Sequence, residues 1–281
     1  MSKKKKLKKL AKENIKITSS GKVIISKDQK IDLKPFVNNS VATAIVSRLD
    51  GIISKEDVVV DNIDRIDMNI DMVSSFKEIE LLSRAMEETP QKPTLVIVGN
   101  KKNSLSMFDY LNTGTLGTVL RTSTLSSIYK QLKDDWTFLC QDDNTKFTNV
   151  FYVENVMSFV DEETTNFRKR PIIFNLLLVL VPSKNKMIDA DEEEISDDTA
   201  IRRIVNDVSE AIIKTGTKYV VIDPFEYKMM EKNPYIAVQE WVRAISEQNF
   251  KNNVKSVSFA VEDESLFVSL TAEIKKQIGF L

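Results

Sequence analysis

Residues 197–222 read D-D-T-A-I-R-R-I-V-N-D-V-S-E-A-I-I-K-T-G-T-K-Y-V-V-I, and this stretch decides the predicted fold class. Apolar residues recur in it at helical spacing, at Ile201, Ile204, Val205, Val208, Ala211 and Ile212. Asp197 or Asp198 is the predicted N-cap of this helix. Gly216 suits the position just after the helix, because glycine tolerates a left-handed backbone. Tyr219–Ile222 is then a predicted strand.

The same alternation continues toward the C-terminus. Asp223–Asn233 is expected to be a loop, and Pro234 is expected to open a second helix that carries Trp241 on its inward face. Val257–Val261 follows as a further predicted strand. The order helix, strand, loop, helix, strand predicts right-handed crossovers on a largely parallel sheet.

Upstream segments alternate in a similar way. Predicted helices are Asn39–Ser47, Met72–Met86 and Leu120–Leu132. Predicted strands are Val23–Ser26, Ile31–Leu33, Asp57–Val60, Thr94–Val98, Val150–Val153, Met157–Val160 and Ile172–Val181. Residues 100–118 and 133–149 show little periodicity and are expected to be irregular. We expect one α/β domain over residues 21–281, preceded by a basic N-terminal extension over residues 1–20.

Composition excludes several classes of protein. The chain has 281 residues, is 42% hydrophobic and carries a net charge of −1, so it can bury a sizeable core. The single cysteine, Cys140, cannot form an internal disulfide, which suits a reducing, cytoplasmic location, or a virion if the protein is viral. The longest apolar run, Ile172–Pro182, is too short to span a bilayer, and no secretory signal is expected. We therefore expect no membrane association.

The chain is poor in the residues on which enzymes usually depend. It has no histidine, which removes the commonest general base and metal ligand near neutral pH. Only two of its seven glycines lie close together, Gly114 and Gly117 in T-G-T-L-G-T, and these could cradle a phosphate or simply form a turn. The acidic stretch 189–198 lacks the spacing and the glycine of a calcium loop. The sequence predicts no cofactor and no metal site.

A run of lysines near the N-terminus is the most prominent charge feature. Residues 3–15 could form a basic amphipathic helix with Leu7, Leu10, Ala11 and Ile15 on one face. Nucleic acid or an acidic protein is a candidate partner for this run, and a solvated tail is the alternative. The candidate contact residues are Lys3, Lys4, Lys5, Lys6, Lys8 and Lys9.

Four segments, taken in order, resemble one family. They are T-L-V-I-V-G-N at 94–100, L-R-T-S-T-L-S-S-I-Y at 120–129, N-V-F-Y-V-E-N-V-M-S-F at 149–159, and the stretch 219–262, which ends S-V-S-F-A-V-E. Their order and spacing are similar to those of the microbial-type poly(ADP-ribose) glycohydrolases, over about residues 5–270. The resemblance implies a three-layer α/β/α macrodomain-like fold with a mixed, largely parallel sheet.

The chain departs from this family where the family carries its chemistry. The family has a Gly-Gly-Gly turn and then Gln-Glu-Glu; counted back from Ser123, the two glutamates fall near Leu116 and Gly117, which cannot transfer a proton. Asp109 is the one carboxylate left in this loop. The second, glycine-rich phosphate loop is here I-D-P-F-E-Y-K-M-M, in which Asp223 and Glu226 would place negative charge beside a diphosphate.

Three functions remain open. The first is a non-catalytic scaffold or interaction protein, with a protein partner or self-assembly. Its lysine- and asparagine-rich composition would suit an AT-rich genome, such as that of a phage, so a structural role in a viral assembly is one form of this hypothesis. The second is an ADP-ribose or nucleotide-binding protein, or a glycohydrolase, with a remodelled pocket. The third is a protein that associates with nucleic acid through its lysines. The candidate ligand-binding residues are Asn100, Asp109, Gly114, Gly117, Asp223 and Glu226.

Overall fold

The computed structural model describes residues 3–26, 29–53, 66–103, 107–141, 146–187, 195–225 and 227–278. Its strands are β1 (Lys22–Ile24), β2 (Lys30–Asp32), β3 (Ile45–Arg48), β4 (Asp67–Asp71), β5 (Thr94–Asn100), β6 (Asn149–Val160), β7 (Phe167–Val181), β8 (Tyr219–Ile222) and β9 (Ser256–Ala260). Its α-helices are α1 (Lys3–Ser20), α2 (Lys34–Ala42), α3 (Ser75–Ala85), α4 (Thr115–Thr122), α5 (Leu125–Gln141), α6 (Asp197–Lys214), α7 (Lys228–Lys232), α8 (Pro234–Ser246), α9 (Gln248–Asn253) and α10 (Glu264–Ile278).

One mixed sheet organises the described residues. Its strand order is β3-β6-β7-β5-β8-β9-β4. The five strands from β7 to β4 pair in parallel, whereas β6 pairs antiparallel with both β7 and β3. Strands β1 and β2 form a separate antiparallel pair. This arrangement confirms the predicted mixed, largely parallel sheet.

Helices cover both faces of the sheet, because its central strands are apolar on both sides. In β5, Leu95 and Ile97 belong to the core beneath α3, α4 and α5, whereas Val96 and Val98 belong to the core beneath α6, α8 and α10. A smaller apolar cluster around Leu33 and Phe159 lies at one end of the sheet. The three layers confirm the predicted α/β/α class.

The helix of the opening stretch forms as predicted, with a different cap. The hydroxyl of Ser196, not Asp197 or Asp198, accepts the backbone N–H of Thr199 at 3.2 Å and caps α6. Asp197 lies in the first turn and pairs with Lys184 at 2.6 Å. Gly216 has a φ of 70°, so the predicted left-handed position after the helix is confirmed.

Several local predictions are wrong: the expected loop Asp223–Asn233 contains α7, and the predicted helix Leu120–Leu132 is divided between α4 and α5. Residues 133–149 were expected to be irregular, but α5 continues to Gln141, because Trp136 and Cys140 extend the buried stripe of Ile128 and Leu132. Residues 39–47 were expected to be one helix, but they span the end of α2 and most of β3. The predicted strand Asp57–Val60 lies outside the described residues.

The two short apolar pieces predicted at 150–153 and 157–160 belong to one strand, β6. The register to β7 shifts between Val153 and Val156, and Asn155 there has a φ of 59°. The backbone N–H of Asn155 donates to Oδ1 of Asn175 on β7 at 3.1 Å. A bulge therefore interrupts the alternation of side chains and hides the continuity of the strand from the sequence.

The basic segment predicted as an extension is, over residues 3–20, a helix packed against the domain. Leu7, Leu10 and Ala11 are buried as predicted, but Ile15 is 41% exposed, because it lies about 80° around the helix from Leu7, the nearest of the buried leucines. The side-chain amide of Asn14 donates to the carbonyl oxygens of Leu120 at 2.7 Å and Ser123 at 3.1 Å. The domain limits 1–20 and 21–281 stay a prediction. Across the described residues, no helix is long and apolar enough to cross a membrane.

Candidate functional site

The candidate residues gather at the carboxyl edge of the parallel strands, where open α/β sheets usually bind ligands. Asn100 is the last residue of β5, and Asp223 directly follows the neighbouring strand β8. The segment from Lys101 to Gly114 leaves β5 and leads into α4. Two loops, one after β5 and one after β8, therefore define the site.

Asn100 links these two loops. Its Nδ2 donates to the hydroxyl oxygen of Tyr227 at 3.1 Å, and its Oδ1 accepts the backbone N–H of Lys102 at 2.8 Å. Burial raises the pKa of the Tyr227 phenol, while the contact with Asn100 lowers it to a smaller extent. Both ends of the Asn100 amide thus already have protein partners.

The loop after β5 turns back into the core. Phe108 is buried and stacks on Tyr129, with ring centroids 3.8 Å apart and planes within 3°. Its neighbour Met107 covers the end of β5: a Cβ atom on Gly99 would lie 2.5 Å from Cε of Met107. These contacts anchor the loop in the aromatic cluster that also holds Trp136.

Asp109 serves as a turn residue. Its Oδ1 accepts the backbone N–H of Leu111 at 2.8 Å, and the residue is exposed. Oδ1 of Asn112 accepts the backbone N–H of Gly114 at 2.9 Å in the same way. Short polar side chains commonly stabilise turns through such contacts with the backbone two residues on.

Gly114 and Gly117 have different structural roles. Gly114 is the N-cap of α4, with φ −76° and ψ 178°. Gly117 lies inside α4, where a Cβ atom would overlap the carbonyl oxygen of Asn112 and lie 2.7 Å from its carbonyl carbon. Leu116 is buried in the core. Gly117 is therefore required by the close approach of the preceding loop.

Arg121, which joins two loops of the structure, was not among the residues predicted from the sequence. It is 1% exposed. Its Nε and Nη2 donate to Oε1 of Glu162 at 3.0 and 2.6 Å, and its Nη1 donates to the carbonyl oxygens of Tyr110, at 2.8 Å, and Asn112. One guanidinium thereby ties the loop after β5 to the turn between β6 and β7, which its fixed fork of donors allows.

The environment of Asp223 differs from that of Arg121. Its Oδ1 accepts the backbone N–H of Phe225 at 2.8 Å. Burial is the largest cause that raises the pKa of this carboxyl, the Phe225 N–H lowers it, and the carboxylates of Glu262 and Glu231 raise it, so that the pKa is about 6. Glu226, the other carboxylate predicted here, lies outside the described residues.

Two cavities border the site, and they are lined by different candidate residues. One, of about 500 Å³, lies between α1, α3 and α4 and is lined by Gly114 and Arg121 among others. The other, of about 530 Å³, is lined by Asn100, Met107, Tyr227, Lys228 and Lys232 among others. Of these two cavities, Asn100 borders the second and Gly114 the first.

The remaining predicted groups lie apart from these loops. Lys4, Lys5, Lys8 and Lys9 are exposed on α1, which begins at Lys3. Lys6 instead turns toward the first cavity, where its Nζ donates to the carbonyl oxygen of Glu163 at 2.8 Å. Within the part of the chain that the structure describes, no group of three or more acidic, histidine or cysteine residues could hold a metal ion.

Comparison with known proteins identifies the fold. No protein-family model matches this sequence. No curated protein sequence matches it either. Three similar solved structures are poly(ADP-ribose) glycohydrolases, and at these identities the similarity concerns the fold alone.

The protein from Thermomonospora curvata is 14% identical, with a TM-score of 0.70 over 95% of this chain and 98% of the other. The same protein bound to the inhibitor ADP-HPD also gives a TM-score of 0.70, with 12% identity and the same coverage of both chains. The protein from Deinococcus radiodurans in complex with ADP-ribose gives 0.60 at 11% identity, over 86% of this chain and 98% of the other. The resemblance found in the four sequence segments is confirmed for the fold: this chain folds as a microbial poly(ADP-ribose) glycohydrolase-like macrodomain.

Proposed function

We propose that this chain is a macrodomain-like scaffold or interaction protein that does not hydrolyse glycosidic bonds. The observation that carries the proposal is the closure of the loop after β5 by its own residues. Phe108 anchors the loop in the core, and Arg121 binds two of its carbonyl oxygens. In the part of this loop that the structure describes, the side chains of Asp109 and Asn112 and the carbonyl oxygens of Tyr110 and Asn112 are bound within the fold.

Glycosidic hydrolysis needs a carboxyl group that can give and take a proton at the scissile bond. By the family resemblance, the positions for this group are near Leu116 and Gly117, of which one is buried apolar surface and the other contacts the Asn112 carbonyl. Asp109 is occupied as a turn residue. These facts favour a loss of the proton-transfer chemistry.

The loop after β8 also disfavours a diphosphate. Asp223, with a pKa of about 6, is mostly ionised at pH 7.5, and Glu262 and Glu231 act on it with the same sign of charge. A diphosphate beside these carboxylates would be repelled rather than held. The backbone there also lacks the closely spaced glycines through which phosphate loops usually approach their ligand.

A hydrolysis assay tests the proposal directly. Purified protein is incubated with ADP-ribosylated protein beside the Thermomonospora curvata glycohydrolase as the positive control. We expect release of ADP-ribose from the control alone. Turnover by this chain that is lost in Asp109→Asn or Asp223→Asn would overturn the proposal, because it would assign catalysis to a remaining carboxylate.

A second candidate function is nucleotide binding without hydrolysis. The cavity of about 530 Å³ favours it, since two exposed cations, Lys228 and Lys232, border it together with Asn100. Calorimetric titration with ADP-ribose, sensitive to a Kd of about 100 μM or about −5.5 kcal/mol, tests this function. Saturable binding that is weakened by Asn100→Phe and by Lys228→Ala/Lys232→Ala would support it, and a flat titration would remove it.

The finer part of the scaffold proposal is a role in a larger assembly, including a viral one. Its support is that the fold is kept while the loop after β5 is held by contacts within the chain. Light scattering across a concentration series measures self-association. A monomer at every concentration would exclude self-assembly and leave a protein partner as the form of the proposal to pursue.

A further inference from the structure

The exposed surface of α1 is a lysine face that also contains Ile15, which is 41% exposed. At 100° per residue, its exposed lysines fall within an arc of about 140° when viewed along the helix axis. These residues, called here the lysine face, are Lys4, Lys5, Lys8, Lys9, Lys12 and Lys16. The helix has one carboxylate, Glu13, which lies 3.8 Å from Lys9 in an exposed pair. An exposed pair of this kind neutralises little of the charge.

The domain fixes the direction in which this face points. Leu7, Leu10, Ala11 and Asn14 lie on the opposite side of α1, and all four are buried against the domain. The Nδ2 hydrogen bonds of Asn14 to Leu120 and Ser123 also hold the helix against rotation. The helix that carries the lysines is therefore fixed on the domain, so the lysines project from one side of it rather than from a free tail.

The charge arrangement opposes the stability of α1 itself. Its first turn has no acidic residue, and Lys4, Lys5 and Lys6 lie where the helix dipole is positive. Like charges at i and i+4, such as Lys8 with Lys4 and Lys12, also repel each other. A bound polyanion would relieve both effects, whereas folding alone gives no reason for the arrangement.

We propose that the lysine face binds the phosphate backbone of nucleic acid. From Lys4 to Lys16 the helix rises by about 18 Å. One DNA strand carries a phosphate about every 3.4 Å along its axis, so this length faces about five phosphates. This activity is independent of the pocket at the carboxyl edge and of the proposed scaffold function.

The composition and packing of α1 favour the phosphate backbone over other anionic partners. Leu7, Leu10 and Ala11 of α1 are buried in the fold, and the exposed Ile15 is too small an apolar surface to insert into a lipid bilayer as interfacial helices do. The lysine face has no arginine or aromatic side chain to pair with or stack on bases. We therefore expect binding that is steeply salt-dependent and has little sequence preference.

The test measures fluorescence anisotropy of a labelled 20-base-pair DNA duplex with the full chain, between 50 and 200 mM NaCl. If about five phosphates are contacted, log K falls against log salt with a slope of about −4.5, and affinity falls about 500-fold over this range. In Lys4→Gln/Lys8→Gln/Lys12→Gln/Lys16→Gln we expect the slope to weaken by about 3.6. Glutamine keeps nearly the helix propensity of lysine, so α1 should still fold.

A matched control distinguishes the effect of the lysine face from the effect of the net charge of the protein. Lys102→Gln/Lys169→Gln/Lys275→Gln/Lys276→Gln removes the same charge from exposed positions outside α1 and should keep the slope. Equal losses in the two variants would overturn the proposal, as would binding to phosphatidylserine vesicles but not to DNA. If the first variant unfolds by circular dichroism, Lys12→Gln/Lys16→Gln should still weaken the slope by about 1.8, and an unchanged slope there would also overturn it.

Discussion

The loop after β5 and the loop after β8 leave neighbouring strands at the same edge of the sheet, yet they are stabilised in opposite ways. In the first, the buried cation Arg121 meets Glu162 and backbone carbonyl oxygens, and Phe108 fills the core. In the second, Asp223 is a largely buried carboxyl that has carboxylates rather than a cation among the causes of its raised pKa.

The buried charge of each loop therefore affects the stability of the folded state in a different direction. A buried charge with a full set of partners holds its surroundings in one arrangement, whereas a buried charge without a counterion raises the free energy of the folded state. We expect the first loop to be rigid, so that substitutions in it lower the free energy of unfolding. We expect the second to become more stable when its charge is removed.

The largest expected effect tests the aromatic anchor of the first loop. Phe108→Ala should lower the free energy of unfolding by about 3–5 kcal/mol, because it leaves a cavity beside Tyr129. Urea unfolding followed by circular dichroism measures the change. Phe138→Ala is the matched control, since Phe138 is 80% exposed and its loss should cost less than about 0.5 kcal/mol. Equal costs would mean that Phe108 does not anchor the loop.

The next test concerns the buried cation. Arg121→Met should destabilise the fold by about 3 kcal/mol, because Glu162 and two carbonyl oxygens lose their donor. Arg84→Met removes an arginine whose side chain is 40% exposed, and should cost at most about 1 kcal/mol. The same urea titrations compare the two. A loss below about 1 kcal/mol for Arg121→Met would contradict the view that this residue closes the loop.

A smaller effect is expected where the loop backbone touches α4. Gly117→Ala should cost about 2 kcal/mol, since its Cβ atom would push the carbonyl of Asn112 away from α4. At Gly114 the nearest atom to a Cβ is Oδ1 of Asn112 at 3.3 Å, so Gly114→Ala should cost no more than about 1 kcal/mol. Thermal unfolding of both variants ranks them. The reverse ranking would show that the loop can move away from α4 freely.

The smallest effect has the opposite sign and belongs to the second loop. The pKa of Asp223 is about 6 in the folded chain, against about 3.9 for an unfolded aspartate. The folded state thus binds the proton more tightly, so the stability from this group is complete below about pH 4 and is lost as pH rises through 6. Asp223→Asn keeps the acceptor for the Phe225 N–H but cannot ionise.

Asp223→Asn should therefore be more stable than the native chain at pH 7.5, on the order of 1–2 kcal/mol, and equal to it at pH 4. Urea titrations at the two pH values measure this difference. Asp109→Asn, the exposed turn residue of the first loop, serves as the control and should change stability little at either pH. Destabilisation by Asp223→Asn at pH 7.5 would mean that the carboxylate has a stabilising role in the second loop.

Much of the fold could be predicted because apolar periodicity is a local property. The helix around Ile201–Ile212, the left-handed Gly216 and the strands at 94–98 and 219–222 all follow from spacing and backbone preference. Predictions failed where the apolar residues of a strand or a helix depart from simple periodicity. The bulge at Asn155 is one case, and the long α5, whose buried face continues through polar neighbours to Cys140, is another.

That the candidate residues form a site stays a prediction, and the contacts among them could not be predicted from the sequence. Asn100 and Asp223 do lie at the carboxyl edge, because both directly follow or end parallel strands. The clamp by Arg121 was missed, since its partner Glu162 is 41 residues away along the chain. Only an unusual arginine between apolar and small residues, in L-R-T-S, hinted that this side chain would be buried.

Residue type and local spacing suffice for the class of fold, the order of the C-terminal elements from α6 to β9 except the short helices α7 and α9, and the absence of histidine. The tertiary structure decided which charges are paired. It brought Arg121 to Glu162, left Asp223 near Glu262 and Glu231, and held α1 so that its lysines face outward. Such contacts depend on long-range packing, whose partners are distant in sequence and whose electrostatic energies change with burial.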